Sequence, residues 1–286
     1  MQEPVPAVPS TDPQSRPLQD RYLDLVKRSL TRLMFPDEAY DPIGFQRSWW
    51  TRPLGRVLRA LLRPWKLELV RKVDPTVRYQ GRDWPRYAET MIGMARLDNL
   101  QSCVENVLRE GIPGDLIETG VWRGGAAILM TAVLAAWNDT DRKVWVADSF
   151  QGVPKPDVEK YQADAGQDLW KIEYLSVGID DVRRNFGNYG LLDDRVVFLE
   201  GWFKDTLPLA PIHQLAVMRL DGDLYESTMD ALSALYPKLS IGGYVIIDDF
   251  HLPASVNAVE DYRAANSIAE PIQDIDGHGV FWRRES

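Results

Sequence analysis

The chain has 286 residues, 45% of them hydrophobic, a single cysteine and a net charge of -9 at pH 7. Cys103 alone forms no internal disulfide and fits a reducing compartment, no apolar run reaches the ~20 residues of a membrane span, and the acidic balance excludes broad nucleic-acid binding, which needs a net basic face. The N-terminus lacks the basic and apolar regions of a secretion signal, so the expectation is a cytoplasmic α/β protein of one main domain with appended helices.

Residues 1–18 contain five prolines and few large apolar side chains, which reads as a mobile tail. RYLDLVKRSLTRLMF, residues 21–35, places Tyr22, Leu23, Val26, Leu30 and Leu33 at helical spacing. The stretch of about 44–78 is basic and carries Trp49, Trp50 and Trp65. Its GRVLRALLRPW reads as a short amphipathic helix cut by Pro64. Such a helix either meets a membrane surface or partner, or packs on the main domain with its charges in water; the second reading is preferred.

From about residue 113 strands and helices alternate. GDLIETG is a strand, AAILMTAVLAAW a helix, RKVWVADSF a strand, and 177–189 a helix. DRVVFLEG and QLAVMRLDGD are strands, STMDALSALYPKL a helix, GGYVIIDDF a strand, VNAVEDYRAAN a helix and GVFWRR a last strand. This order predicts a mostly parallel sheet covered on both faces. The expected organisation is a tail at 1–18, an N-terminal helical and lid region at 19–112, and the main α/β domain at 113–286.

In such sheets ligands bind at the carboxyl ends of strands. LIETGVWRGGA has the pattern E-x-G-x-x-x-G-G, with Glu118, Gly120, Gly124 and Gly125. It lacks the three-glycine spacing of a dinucleotide fingerprint. Glu118 would repel a pyrophosphate and attract a cationic ligand. Asp148 ends the next strand, where a carboxylate can take both hydroxyls of a ribose. An amino acid, a sulfonium and a ribose together describe S-adenosylmethionine. The bland alternative is a plain strand–helix turn with a solvated acid.

Asp221 and Asp223 end one strand and Asp248 and Asp249 the next. Consecutive strands usually lie side by side, about 4.8 Å apart. The carboxylates therefore converge, and their repulsion calls for a hard divalent cation such as magnesium. Asp221, Asp248 and Asp249 are the expected ligands and Asp223 the expected base. A metal lowers the pKa of a substrate hydroxyl, and the base takes its proton. The competing reading is ordinary loop acids and caps, with Asp223 or Ser227 capping the next helix. His251 and His278 are rival bases, though a structural role is preferred for each.

LIETGVWRGGA, VWVADSFQGVP, FLEGWFKDTLP, LDGDLYEST, GGYVIIDDF and IDGHGVFWRR, in this order, resemble the macrocin O-methyltransferase family, whose members modify deoxysugars of antibiotics. The resemblance covers about 80–286 and the helix at 21–35. It implies a class I, Rossmann-like methyltransferase fold with a seven-stranded sheet and an N-terminal helical extension. It implies S-adenosylmethionine and Mg2+ as cofactors, a glycosylated small-molecule substrate and a homo-oligomer. The family's metal aspartates correspond to Asp221, Asp248 and Asp249, and its base to Asp223. Its cofactor residues correspond to Glu118, Thr119, Gly120, Val121 and Trp122, to Asp148, Ser149, Phe150, Gln151 and Gly152, and to Gly201 and Trp202. TMIGMARLDNL resembles the stretch that closes over the cofactor, which adds Thr90 and Met91. The basic stretch 44–78 is longer than the family pattern. Rival functions are a catechol-type O-methyltransferase and a non-catalytic cofactor-binding scaffold.

Overall fold

The computed structural model describes residues 17–35, 40–42, 61–65, 67, 70–72 and 74–286. The expected tail lies outside these residues save for its last two positions, as does most of the basic stretch 44–78. Of its expected helix only residues 61–65 are described, helical at 61–62 and ending in a 3-10 turn at Arg63–Trp65.

Helix α1 is Leu18–Leu30, α2 Met94–Arg109, α3 Gly125–Ala136, α4 Ile179–Asn188, α5 Tyr225–Leu235 and α6 Pro253–Ala265. The main sheet contains β1 Asp115–Thr119, β2 Val144–Asp148, β3 Val196–Glu200, β4 Leu215–Leu220, β5 Leu239–Ile247, β6 Gln273–Asp274 and β7 Val280–Arg283. Its seven strands run in the order β3-β2-β1-β4-β5-β7-β6. The first five are parallel, and β7 is antiparallel to both its neighbours. The order reverses at β1 and β4, which opens a crevice at their carboxyl ends.

Alternation along the strands divides the core. Leu116, Val144, Val146 and Ile246 face α1 to α4, while Ile117, Trp145, Met218, Val245 and Ile247 face α5 and α6. GAAILMTAVL of α3 is buried on every side. A helix apolar all round needs a second cover beyond the sheet. Helices α1 and α2 provide it, with Leu23, Val26, Leu30, Leu97, Leu100 and Val104 in the same cluster. Burying each such side chain contributes roughly 1.5–3 kcal/mol.

The first helix ends at Leu30, short of the expected residue 35. Arg32 adopts φ +59°, Leu33 N–H returns to Arg28 O at 2.9 Å and Arg32 N–H to Ser29 O at 3.0 Å. This is a Schellman stop, usually made by glycine. Here the arginine is held by tertiary bonds to Tyr87 O and Glu89. TMIGMARLDNL begins with the segment that holds Thr90 and Met91 and runs into the 16-residue helix α2.

Candidate active site

The ladder extends one residue past the strand ends. Gly120 N–H donates to Ala147 O, Asp221 N–H to Thr119 O, Asp248 N–H to Leu220 O and Gly201 N–H to Asp148 O, each at 2.9 Å. The residues singled out by motif thus share one level along the sheet edge. Gly120 sits at φ +78°, and a Cβ there would lie 1.8 Å from Asp221 O. Only glycine lets the first turn pass this close to the β4 end. A Cβ on Gly125 would lie 2.5 Å from Glu89 O, so this glycine admits the 89–91 segment against the start of α3. Trp122, Phe150 and Asp223 also take positive φ, at 47°, 55° and 57°. Left-handed backbone at non-glycine residues is costly and gathers at functional loops.

These loops surround a cleft of about 340 Å³, within the size range of small-molecule sites. Met91, Gly120, Trp122, Asp148, Ser149, Gly152, Trp202, Asp221 and Asp223 line it, as do Ser227, read from sequence only as a helix cap, and Leu175, Lys204, Glu226 and Asp230, which sequence reasoning did not select. Glu118 is placed beneath the turn rather than in the cleft. Its carboxylate takes the guanidinium of Arg219 and the N–H of Ala127, and burial raises its pKa to about 8. Thr90, Thr119, Val121 and Phe150 are buried and Gln151 is exposed, none of them in the cleft wall. Gly201 lies at the β3 end, next to Trp202. Asp148 accepts from Val121 N–H at 2.7 Å and Phe150 N–H at 2.8 Å. It therefore ties the glycine turn to the following loop while facing the cleft.

Oxygens of Asp221, Asp223 and Asp249 all lie within 4.8 Å of one another. Asp223 N–H donates to Asp249 Oδ2 at 3.0 Å, which brings the β4 and β5 loops together. The expected ligand set had Asp248 in place of Asp223. Asp248 is instead clamped by Arg96 Nη1 at 2.7 Å and Arg219 Nη2 at 2.6 Å. Arg219 Nη2 also lies 3.0 Å from Asp221, and Arg96 Nε 3.0 Å from Asp276.

Proton affinities follow this partition. Burial pushes Asp248 up, but the two arginines hold it below the usual carboxylate range. Burial and the neighbouring acids push Asp221 and Asp249 well above that range. Asp223 is raised to about 8 by burial, then by the charges of Asp221, Asp248 and Asp148. Four acids (Glu118, Asp221, Asp248 and Asp276) thus share Arg96 and Arg219, while no ion pair among the described residues reaches Asp223 or Asp249. A divalent cation fits the trio: its donors are hard oxygens without Cys or His, and added positive charge relieves their repulsion.

His251 and His278 pack edge to face at 4.5 Å, and neither lines the cleft. Arg96 and Arg219 were missed from sequence. A charge inside the apolar run LAVMRL signals a buried partner; nothing in the sequence marks Arg96.

The family described as macrocin-O-methyltransferase (TylF) matches residues 19–284. The 8-demethyl-8-(2,3-dimethoxy-alpha-L-rhamnosyl)-tetracenomycin-C 4'-O-methyltransferase of Streptomyces olivaceus is 51% identical over 266 residues, 93% of each chain. The demethyldecarbamoylnovobiocin O-methyltransferase of Streptomyces niveus is 56% identical over 210 residues, 73% of this chain and 80% of its own. Among solved structures, the O-methyltransferase NovP superposes with a TM-score of 0.80 at 46% identity, covering 94% of this chain and 100% of its own. The architecture is that of the class I S-adenosylmethionine-dependent methyltransferases.

Proposed function

We propose that this chain, which belongs to the macrocin O-methyltransferase family and is an O-methyltransferase, methylates a sugar hydroxyl of a glycosylated natural product. The observation that carries the reading is one cleft holding both the glycine turn with Asp148 and the Asp221–Asp223–Asp249 trio. The relatives' names, for a rhamnosyl-tetracenomycin and for demethyldecarbamoylnovobiocin, support a glycosylated acceptor.

S-adenosylmethionine supplies the methyl group as a sulfonium. A divalent metal, magnesium by donor type, supplies a Lewis acid that makes a hydroxyl more acidic. Asp221 and Asp249 hold it in this reading, and Asp248 completes the set implied by the family. Asp248 would do so while paired with Arg96 and Arg219. Asp223 takes the hydroxyl proton, which suits its raised proton affinity. Gly120 leaves room for the methionine end, Asp148 faces the ribose, and Met91, Trp122 and Trp202 exclude water. The new bond joins the acceptor oxygen to the methyl carbon. The S–CH3 bond breaks with its electron pair staying on sulfur, which yields S-adenosylhomocysteine.

Among the described residues no helix is long and apolar enough to cross a membrane. A cytoplasmic homo-oligomer belongs to the same proposal and is read by sedimentation. The deciding experiment incubates purified protein and labelled S-adenosylmethionine with glycosylated and catechol acceptors, with chelator and then with added magnesium. Label on the sugar that needs the metal is expected. Turnover undiminished by chelator overturns the metal, and methylation of catechol alone overturns the acceptor.

A further inference from the structure

We propose that Asp164, a buried carboxylate in the loop between β2 and α4, is a positioning residue for methyl transfer. It anchors that loop as one wall of the cleft and fixes the start of α5 beside Asp223. The proposal rests on the reading of the cleft as the place of methyl transfer.

Helix α5 has no cap of its own, since its N-cap is Leu224, with no side-chain acceptor. Asp164 supplies the missing acceptor from 61 positions upstream. One oxygen takes Tyr225 N–H at 2.6 Å and the other takes Glu226 N–H at 3.2 Å, and the side chain is wholly buried. A carboxylate at a helix N-terminus satisfies orphan donors and meets the positive end of the dipole. A local Ser or Asp would cap α5 equally well. A cap from a distant loop does something more, because it holds two elements in one relative position.

Both elements belong to the cleft. Between residues 149 and 178 the loop has only three short 3-10 turns, at Gln162–Asp164, Leu169–Lys171 and Glu173–Leu175. Its position depends on discrete anchors. Asp164 is one, reinforced by the Tyr161 and Tyr225 rings 5.7 Å apart. Tyr174 is another, stacked on Trp84 at 5.4 Å and tilted on Trp122 at 5.3 Å. The loop places Pro154, Lys155 and Leu175 in the cleft wall, while the first turn of α5 places Glu226 and Ser227 there.

Only Leu224 separates the capped Tyr225 from Asp223. The positive φ of Asp223 persists because its surroundings hold it. Those surroundings are the bond to Asp249 on one side and the start of α5 on the other. Freeing the helix start releases one side, and a displacement near 1 Å at a reacting group lowers rates by about a hundredfold.

The test compares wild type, Asp164→Ala and Asp164→Asn. Asparagine keeps one carbonyl acceptor, so it restores one of the two bonds. The measurements are kcat and KM well below each variant's Tm, limited proteolysis of the 150–178 loop, and calorimetric binding of S-adenosylhomocysteine. The alanine variant is expected to lose about tenfold or more in kcat and to be cut faster in the loop, with the asparagine variant between it and wild type in both. Wild-type kcat and KM in Asp164→Ala overturn the proposal, whether or not its Tm falls or its loop is cut faster. Product binding needs neither the acceptor nor the base, so the wild-type titration tests the reading of the cleft separately from the comparison of variants.

Discussion

Glu118 on β1 and Arg219 on β4 stand directly opposite each other in register and form a buried ion pair beneath the glycine turn. Arg219 also reaches Asp221 and Asp248, so one guanidinium neutralises acids from three adjacent strands. Removing it leaves buried carboxylates uncompensated. Arg219→Met is expected to cost about 3–5 kcal/mol, in the range for breaking a buried pair from one side. Glu118→Gln should cost less, because Arg219 keeps two other acids. Chemical denaturation of the two variants checks the order, and an Arg219→Met protein as stable as wild type contradicts it.

Asp223→Asn tests the base. Asparagine tolerates the left-handed backbone at φ 57°, so the loop is preserved while the proton acceptor is lost. The expected outcome is a fall in kcat of about 10²–10⁴ with S-adenosylhomocysteine affinity unchanged. Retention of wild-type turnover assigns the proton to another group.

Metal binding should depend on pH in a set direction. In the metal-free protein Asp223 is raised to about 8, and Asp221 and Asp249 stand well above ordinary carboxylates. An unfolded chain releases these protons near pH ~4. Between those limits the folded state holds more protons, so metal-free stability falls as pH rises toward 8. A cation held by Asp221 and Asp249 beside Asp223 favours the charged form of all three, so its binding tightens from pH 7 to 8.5 and is accompanied by proton release. Titration of magnesium in two buffers of different ionisation enthalpy measures the release. An affinity flat across this window opposes a cation at this cluster. Thermal melts with chelator should show a lower Tm at pH 8.5 than at pH 7, with magnesium closing the gap.

Gly125→Ala separates cofactor binding from chemistry. The added methyl meets the backbone oxygen of Glu89, which cannot swing away, and the Gly125 N–H bond to that oxygen is disturbed as well. The 89–91 segment must retreat and take Met91 with it. An overpacking cost of about 1.4 kcal/mol, within the usual range of about 1–3, corresponds to a rise of about tenfold in KM for S-adenosylmethionine, with kcat changed less. An unchanged KM would show that the segment has room to move without disturbing the cleft.

Local signals explain how much of the fold was legible. Each central strand is an apolar run closed by a polar residue, so Asp148, Asp221 and Asp248 were placed at strand ends from neighbours within a few positions. The apolar face of α2, with Leu97, Leu100, Val104 and Val107 buried, carries helical spacing as clear as that of α1. The stop at Arg32 had no local mark, because the usual glycine is absent and its left-handed turn is held by Glu89, 57 positions away.

By itself the sequence determined that a parallel sheet brings a glycine turn, the acid Asp148 and four aspartates to one edge, since periodicity and strand-end polarity are local properties. Tertiary structure alone decided which of those acids are already neutralised. Asp248 meets Arg96 across 152 positions, Glu118 lies beneath its turn against Arg219, and Asp223 joins Asp221 and Asp249 in the trio. The physical reason is that Coulomb energy depends on distance and burial in space, and neither is written in the spacing of residues along the chain.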